Sequence, residues 1–519
     1  MKIGEVISAS ALQGLEAKLE LENPEDLRIG YPVIVEGRRY DFYCLVEDVV
    51  NERSPIAERL AGSRLRDTVM PAGMEEGYGG PIFYAKARLK PIQLIEKETG
   101  RLSEPQTIPP YFSEARHARE ADVELIYEKT AHSAPLGTIR GVTQFYVHLD
   151  FERLSEKPFA IFGRTGMGKS ILNKLVCLGI LGGNVGSVLV FDMHGEYGIY
   201  SRTDKTEGLK FYFPERVEVL SLDPKNKEAR PFLISAEEIR PQDLIVALRD
   251  LNQNMIDAIY EIAKRRRTNL MAAIQEAEPE EFDESRVHPT VLNALKRRVR
   301  RLDRLPFLRP TAKDAFSTMV SLVRQGKSLV LDFGDFGTDE MVYLFVANVL
   351  ARRFFDLYTE RNEEFPRLTV FLEEAHKFLD PDIAHYTIFS KLARETRKFN
   401  LILALVDQRP SKIDDEVRSQ LANRLVMSLK EPSDVSSSLA GVPDRSMWEN
   451  IVSTIPARVV AVLGDAIRIP TVIDIMRYDD LNVRDHLLGG GATHEKLEKL
   501  AARTDEVLEP GPVERHPKL

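Results

Sequence analysis

The chain has 519 residues, which is too long for one ordinary domain and predicts two to four folded units. Its formal net charge is −9, which excludes a surface that attracts nucleic acid over its whole extent. Any DNA site therefore has to be a local basic patch or the lining of a pore.

The cysteine content and the hydropathy exclude two further classes. Cys44 and Cys177 have no metal-ligand spacing, so a disulfide framework is not expected and Cys177 is interpreted as a buried thiol. No window approaches about 18 uninterrupted apolar residues, and no signal-type stretch opens the chain. We expect a cytoplasmic protein without a membrane span, which disfavours motors that carry their anchor on the same chain.

Residues 1–130 predict a small β-barrel or sandwich, because several short strands fall within about a hundred residues. The apolar runs, separated by Gly, Pro and Asn, are Ile3–Ile7, Ala17–Leu21, Tyr31–Val35, Asp41–Val46 and Lys86–Ile95. The stretch Glu52–Gly80 interrupts this pattern and predicts a long loop with a helical turn. The Pro-rich stretch Glu104–Tyr111 predicts an extended connector.

From residue 131 the pattern changes to strands that alternate with helices, which predicts an α/β core with a mostly parallel sheet over 131–234 and 326–480. Ser187–Phe191 is almost continuously apolar, as expected of a strand that is buried on both faces. The other predicted strands are Phe159–Phe162, Ser328–Phe333, Leu368–Leu372, Leu401–Val406, Leu425–Leu429, Val459–Leu463 and Ile467–Ile473.

Residues 235–325 contain no credible strand and predict a helical bundle inserted into the core. Leu292, Leu295, Val299, Leu302 and Leu305 recur at helical spacing. The basic runs 264–267 and 296–298 fit either a nucleic-acid contact or a solvated helix face, and the acidic residues between them favour the solvated face. Residues 481–519 predict a polar C-terminal tail, with a strap to a neighbouring subunit as one interpretation.

One segment predicts a phosphate-binding loop. The apolar run 159–162 leads into Gly163-Arg164-Thr165-Gly166-Met167-Gly168-Lys169-Ser170, and an apolar helical pattern follows. Glycines let successive backbone N–H groups point into one concavity, and the helix N-terminus adds positive potential. Lys169 would then reach the outer phosphates of ATP, and the Ser170 hydroxyl would hold Mg²⁺. The alternative is an ordinary glycine-rich turn.

Carboxylates at the ends of two predicted strands support the nucleotide interpretation. Glu373 and Glu374 follow a buried strand, and by position Glu373 takes the metal role while Glu374 polarises the attacking water. A surface pair of glutamates is the alternative. Asp192 ends the strand after the phosphate-binding segment, where it could join the Mg²⁺ and water network. His194 and Glu196 are not expected to form a dedicated metal site, because no Cys or His cluster is nearby.

Cationic and amide side chains complete the predicted site. Gln408 ends a strand beside the acidic one, where it could sense the γ-phosphate. Arg394, Arg397 and Lys398 precede that strand, and a helix there could present an arginine finger to the ATP of the next subunit. Such a finger is worth about 10³–10⁵ in rate. The alternative is a helix that ends in surface salt bridges, and the sequence does not choose between the cations.

In this order the motifs resemble the HerA family of the HerA–FtsK branch of RecA-like motors. The matching blocks are Gly163–Ser170, Asp192–Tyr197, Glu373–His376 and Ala393–Ser411. The resemblance implies a RecA-like P-loop core with an N-terminal barrel of the HAS type and a homohexameric ring with ATP at subunit interfaces. It also implies translocation of double-stranded DNA and a partner that is a NurA-type nuclease or another defence effector. Met167 departs from the commoner serine, and its side chain could alter packing at the subunit interface.

These motifs predict an ATP-hydrolysing DNA translocase or helicase in DNA-end processing or antiphage defence. One alternative is a nucleotide-gated ring scaffold for an effector, in which DNA would not stimulate turnover. A second alternative is a macromolecule pump of the secretion type, which the absence of a predicted membrane segment disfavours.

Overall fold

A computed structural model describes residues 1–21, 23–53, 83–127, 129–249, 251–266, 269–282, 287–310, 315–360, 365–395 and 398–488. The strands are, in chain order, β1 (Lys2–Ser10), β2 (Gly14–Leu19), β3 (Pro32–Glu36), β4 (Tyr40–Arg53), β5 (Phe83–Glu96), β6 (Leu102–Ser103), β7 (Glu114–His117), β8 (Ser133–Ile139), β9 (Val142–Asp150), β10 (Phe159–Phe162), β11 (Ser187–Asp192), β12 (Tyr200–Ser201), β13 (Thr206–Glu207), β14 (Val217–Ser221), β15 (Arg230–Pro231), β16 (Ile234–Ser235), β17 (Leu308–Arg309), β18 (Ser328–Asp332), β19 (Leu368–Glu373), β20 (Leu401–Asp407), β21 (Asn423–Val426), β22 (Val459–Leu463) and β23 (Thr471–Ile475).

The α-helices are α1 (Glu120–Ile126), α2 (Phe151–Leu154), α3 (Lys169–Gly182), α4 (Leu209–Tyr212), α5 (Pro241–Ala247), α6 (Gln253–Arg265), α7 (Leu270–Glu276), α8 (Pro289–Asp303), α9 (Phe316–Arg324), α10 (Glu340–Glu360), α11 (His376–Leu379), α12 (Ile388–Glu395), α13 (Asp415–Ser419), α14 (Pro432–Ser438), α15 (Arg445–Thr454) and α16 (Asp480–Leu487). Among these helices, none combines the length and the apolar character needed to cross a bilayer.

The N-terminal strands form a closed antiparallel barrel. Its order is β2-β1-β7-β3-β4-β5, with β5 pairing back to β2 and β6 added outside β5. Closure pairs both edges of the sheet, and inward side chains such as Ile3, Val33 and Phe42 fill the interior. Tyr43 is buried against the rest of the chain, where its hydroxyl lies 3.4 Å from that of Tyr127.

The second sheet has twelve strands in the order β15-β14-β18-β11-β19-β20-β10-β21-β22-β23-β8-β9. The pairs from β15 to β21 are parallel, and those from β21 to β9 are antiparallel. Every residue of β10, β11, β19 and β20 is buried, because helices cover both faces of the parallel part. The predicted α/β core with a mostly parallel sheet and a small N-terminal barrel is confirmed.

Strand order determines which loops meet at the carboxyl edge. Strand β20 lies between β10 and β19, so the residue that follows β20 stands between the loop after β10 and the loop after β19. Gln408 is that residue. The topology therefore brings the loop after β10 together with two segments that lie more than two hundred residues later in the chain.

Several predicted elements differ from the observed ones. Strands β8, β9 and β14 were not predicted; β8 contains Pro135 and Gly137, which weaken a strand signal and are tolerated here near the edge of the sheet. Strand β2 begins at Gly14 rather than Ala17, and β21 ends at Val426 rather than Leu429. The absence of strands from 235–325 was also wrong, since β17 pairs in parallel with β16.

The predicted helical region otherwise holds α5–α9. Four of the five apolar residues predicted at helical spacing lie on α8 and are buried, whereas Leu305 is buried just beyond the end of this helix. Arg266 pairs with Glu276 at 3.1 Å and with Glu281 at 2.9 Å, as the solvated-face interpretation expected. The predicted loop Glu52–Gly80 lies outside the described residues apart from its first two positions, which end β4, and the tail is described only as far as residue 488.

Candidate nucleotide site

The loop after β10 has the backbone of a phosphate cradle. Gly166 and Gly168 adopt φ values of +80° and +100°, which side chains other than glycine rarely allow. The Gly163 N–H donates to the carbonyl of Asp407 at 3.1 Å, and the Arg164 N–H donates to the carbonyl of Ser428 at 3.1 Å. Neighbouring segments on both sides therefore anchor the loop, and α3 begins at its end with Lys169.

Lys169 lies among carboxylates. Burial lowers the pKa of its ammonium group, while the charges of Glu374, Asp407 and Glu373 act in the opposite direction. Asp407 ends β20, Glu373 ends β19, and Glu374 follows β19. The ammonium group is thus largely removed from water and surrounded by carboxylates, and a bound phosphate would supply a further negative charge.

Gln408 joins the phosphate-binding loop to the acidic strand. The Thr165 hydroxyl donates to Oε1 of Gln408 at 2.7 Å. Nε2 of Gln408 donates to the two carboxylate oxygens of Glu374 at 3.2 and 3.4 Å. The amide is therefore oriented from both sides, and a change in the position of Thr165 would reach Glu374 through one side chain.

Glu374 has a backbone conformation that is uncommon for its residue type. Its φ is +48°, in the left-handed region, where a non-glycine residue is strained and where functional residues often occur. Its carboxylate lies 3.5 Å from Nδ1 of His376. Sequence analysis placed Glu374 after the strand, and the structure adds the neighbours that fix its orientation.

His376 is held by Asp407, a pair that sequence analysis missed. The buried Asp407 carboxylate accepts from the His376 N–H at 2.6 Å and lies 3.0 Å from Nδ1 of the same residue. Burial acts to lower the pKa of His376, but the hydrogen bond and the charge of Asp407 outweigh it, so the pKa is raised. The signal available in the sequence was an Asp at the end of a continuous apolar strand.

Glu373 is a buried carboxylate at the end of β19. Burial raises its pKa to about 8, against the hydrogen bond from the Tyr197 hydroxyl to Oε1 at 2.5 Å. Its other oxygen, Oε2, is buried without a hydrogen-bond partner. Together with the Ser170 hydroxyl it provides oxygen donors, which suit Mg²⁺, so the predicted Mg²⁺ residues fit that ion. No group of three or more His, Cys, Asp or Glu arranged to hold a metal occurs in the described part of the chain.

Asp192 uses both carboxylate oxygens inside the fold. They accept the N–H groups of Glu196 and Tyr197, each at 2.8 Å. Burial raises the pKa of Asp192 to about 6. Asp192 thus organises the turn after β11, and its oxygens are already engaged where sequence analysis had placed them toward the Mg²⁺ and water network.

Of the predicted finger residues, Arg394 is not part of this cluster. Arg394 pairs with Glu416 at 2.9 Å and donates to the carbonyl of Ser390. Lys398 is exposed, and Arg397 lies outside the described residues. Within the chain Arg394 takes no part in the cradle, so any contribution to ATP would go to a neighbouring copy.

Arg458 is a second residue that sequence analysis missed. Its φ is +62°, and its N–H donates to the carbonyl of Met167 at 3.0 Å. Its Cγ lies 3.8 Å from where a Cβ on Gly168 would stand. Arg458, Arg164 and Arg409 are exposed and form no ion pair within the described ranges, so three cationic side chains are available on the exposed side of the loop. Met167 itself is buried within its own chain.

The chain is similar to known proteins over most of its length. Residues 134–354 match the family described as the central domain of the helicase HerA. The chain is 26% identical over 514 residues to the DNA double-strand break repair helicase HerA of Sulfolobus acidocaldarius, covering 92% of this chain and 94% of that protein. It is also 26% identical over 527 residues to the HerA helicase of Saccharolobus solfataricus, covering 96% and 98%. VirB4 of Thermoanaerobacter pseudethanolicus has a TM-score of 0.50 at 14% identity, covering 68% of this chain and 98% of that structure, and shares the core fold.

The fold and the site define a P-loop ATPase with a RecA-like core. A cradle after β10, a strand between it and the acidic strand, and paired glutamates at the acidic strand's end are the parts of that class. Within that class, the family match over residues 134–354 and the similarity over most of the chain agree with the motif order, and the chain is similar to the HerA family.

Proposed function

We propose that the protein is an ATP-driven translocase or helicase of double-stranded DNA that works as a hexameric ring. The observation that carries the proposal is the side-chain connection from Thr165 through Gln408 to Glu374, because it joins the phosphate cradle to a carboxylate placed to orient water. The similarity to DNA double-strand break repair helicases over most of the chain supports DNA as the substrate.

The backbone of 163–168 would bind the phosphates, and Lys169 would neutralise their outer charge. Glu374 would orient and deprotonate the attacking water, and Gln408 would hold Glu374 in place. Ser170 and Glu373 would hold Mg²⁺, which when bound to the nucleotide neutralises charge on the β- and γ-phosphates. Asp192 would maintain the turn that carries Tyr197.

Residues outside the cradle would complete the ATP site. Arg458, braced against the loop by its own N–H, would add positive charge to the nucleotide from within the same subunit. Arg394 or Arg397 would reach the ATP of the neighbouring subunit, for which Arg394 has to leave Glu416. Ring assembly is therefore part of the proposed mechanism, since a trans-acting arginine requires a second copy.

A partner belongs to the same proposal and rests on the family resemblance. We propose a NurA-type nuclease or another effector, in DNA-end processing or in antiphage defence. Pull-down from the native host, followed by mass determination of the complex, identifies the partner and the ring size together. A nuclease fold in the complex would favour DNA-end processing, and another enzyme class would favour the defence role.

The test is a triplex-displacement assay with Mg-ATP, in which a translocating motor strips a third strand from duplex DNA. Wild-type protein should displace the strand, and Lys169→Ala should not. A wild-type protein that assembles into rings and hydrolyses ATP at the same rate with and without DNA, but displaces no strand, would contradict the motor and favour the nucleotide-gated scaffold.

A further inference from the structure

A buried tyrosine connects the phosphate-binding helix to the acidic strand. The Tyr197 hydroxyl donates to Oε1 of Glu373 at 2.5 Å and accepts from Nδ2 of Asn173 at 3.0 Å. Asn173 lies on α3, four residues after Lys169. All three side chains are buried, so this hydroxyl is the meeting point of two elements that flank the nucleotide site.

The position of Tyr197 is fixed from its backbone as well. Its N–H donates to Oδ2 of Asp192 at 2.8 Å, at the end of β11. The far side of Glu373 is also fixed, because the Tyr343 hydroxyl donates to the Glu373 carbonyl at 2.8 Å. Tyr343 thus holds the main chain of Glu373, and Tyr197 fixes the position of its Oε1.

The second carboxylate oxygen of Glu373, Oε2, is the one that can bind a ligand. Oε2 of Glu373 is buried and has no hydrogen-bond partner within the described structure. A buried acceptor without a partner costs free energy, and such groups commonly await a ligand or ordered water. Since Tyr197 occupies Oε1, Oε2 is the oxygen that stays available.

We propose that Tyr197 is a positioning residue that fixes Oε1 of Glu373 and thereby presents Oε2 to the hydrated Mg²⁺ of a bound nucleotide. The inference rests on the proposed nucleotide function. It also gives Asp192 a defined task, because the Asp192 carboxylate holds the backbone of the positioning tyrosine. Partners that orient a metal ligand typically change metal affinity by about 10–100-fold when removed.

The experiment measures Mn²⁺ binding by electron paramagnetic resonance, with Mn²⁺ replacing Mg²⁺ and the full-length protein saturated with AMP-PNP. Tyr197→Phe removes only the hydroxyl and should raise the Mn²⁺ dissociation constant about tenfold. AMP-PNP affinity in EDTA should not change. The control is Tyr358→Phe, which removes another buried hydroxyl whose bond goes to the Pro366 carbonyl, and it should leave Mn²⁺ binding as in wild type.

A second variant keeps the test decisive if Tyr197→Phe fails to fold. Asn173→Leu removes the donor to the tyrosine hydroxyl with little change in volume and should weaken Mn²⁺ binding in the same direction. Combined with Tyr197→Phe it should add little, because both act through one hydrogen-bonded chain. Equal Mn²⁺ affinity in wild type, Tyr197→Phe and Tyr358→Phe would overturn the positioning role of Tyr197 but not the proposed function. A wild-type protein that binds neither AMP-PNP nor Mn²⁺ would overturn the proposed function.

Discussion

The Thr165 hydroxyl donates a 2.7 Å hydrogen bond to Oε1 of Gln408, so a residue of the phosphate-binding loop holds a residue from the strand next to it. The other end of the same amide donates to Glu374. Holding a general base rigidly in the right orientation contributes much of the rate acceleration of an enzyme. If a bound phosphate displaced Thr165, the position of the Glu374 carboxylate would therefore also change.

Gln408→Ala should lower kcat for ATP hydrolysis by about 10²-fold, because a misplaced general base costs roughly that much. KM for ATP should change little, since the cradle is intact. Thr165→Val should show a smaller loss, as Gln408 still contacts Glu374. Steady-state turnover measures both, and a Gln408→Ala enzyme with wild-type kcat would contradict the coupling.

Glu374→Gln should bind ATP normally and lose hydrolysis by about 10²–10⁴-fold, the usual contribution of a general base. Equilibrium binding and single-turnover hydrolysis separate the two effects. Glu395→Gln, an exposed glutamate on α12, is the matched control and should behave as wild type. If Glu373→Gln alone gave this phenotype, the roles of the two glutamates would be exchanged.

The folding stability of the nucleotide-free protein should depend on pH through Glu373. Its pKa is raised by burial from 4.5 to about 8, so the folded state binds a proton that the unfolded state has released between these values. Stability contributed by the protonated carboxyl is therefore lost as pH rises from about 4.5 to about 8. Glu373→Gln should melt above wild type at pH 9 and close to it at pH 5, whereas a gap that is constant across pH would contradict this assignment.

Arg458→Ala should raise KM for ATP several-fold with little effect on kcat, because an arginine that binds substrate and transition state alike affects only KM. Arg445→Ala is the matched control, since Arg445 is a surface arginine paired with Glu449 at 2.8 Å. Isothermal titration with AMP-PNP measures the same difference without turnover. Unchanged affinity in Arg458→Ala would remove this residue from the site.

Mixed rings test the trans-acting arginine. Subunits with Lys169→Ala and subunits with Arg394→Ala should each be inactive alone, while mixtures should regain turnover because some interfaces then combine an intact cradle with an intact arginine. The same mixture with Arg397→Ala identifies which residue acts. Glu416→Gln, which releases Arg394 from its intrachain partner, should retain activity. Mixtures without any recovery would contradict a finger in trans.

The sequence predicted buried strands well and edge strands poorly, for a physical reason. Phe159–Phe162 and Val459–Leu463 were predicted to the residue, because strands buried on both faces are continuously apolar. Strand β8 lies next to the edge strand β9 and includes Pro135 and Gly137, so its stability comes from pairing with β9 and β23 rather than from local preference.

In the site, the sequence predicted the positions of residues along the chain but not their side-chain hydrogen bonds. Motif spacing placed Lys169, Glu374 and Gln408 at one sheet edge, because parallel strands end on the same side. The bonds of Tyr197, Asp407 and Arg458 depend on side-chain directions that no spacing contains. Asp192 illustrates the limit, since its position was predicted but the direction of its oxygens was decided by the N–H groups of the following turn.

The most direct test of the motor is the ATPase rate of assembled wild-type protein with and without linear double-stranded DNA, beside Glu374→Gln as the background. Our proposal predicts a rate that rises several-fold with DNA and stays at background in the variant. A wild-type rate equal to that of Glu374→Gln under every DNA condition would contradict it.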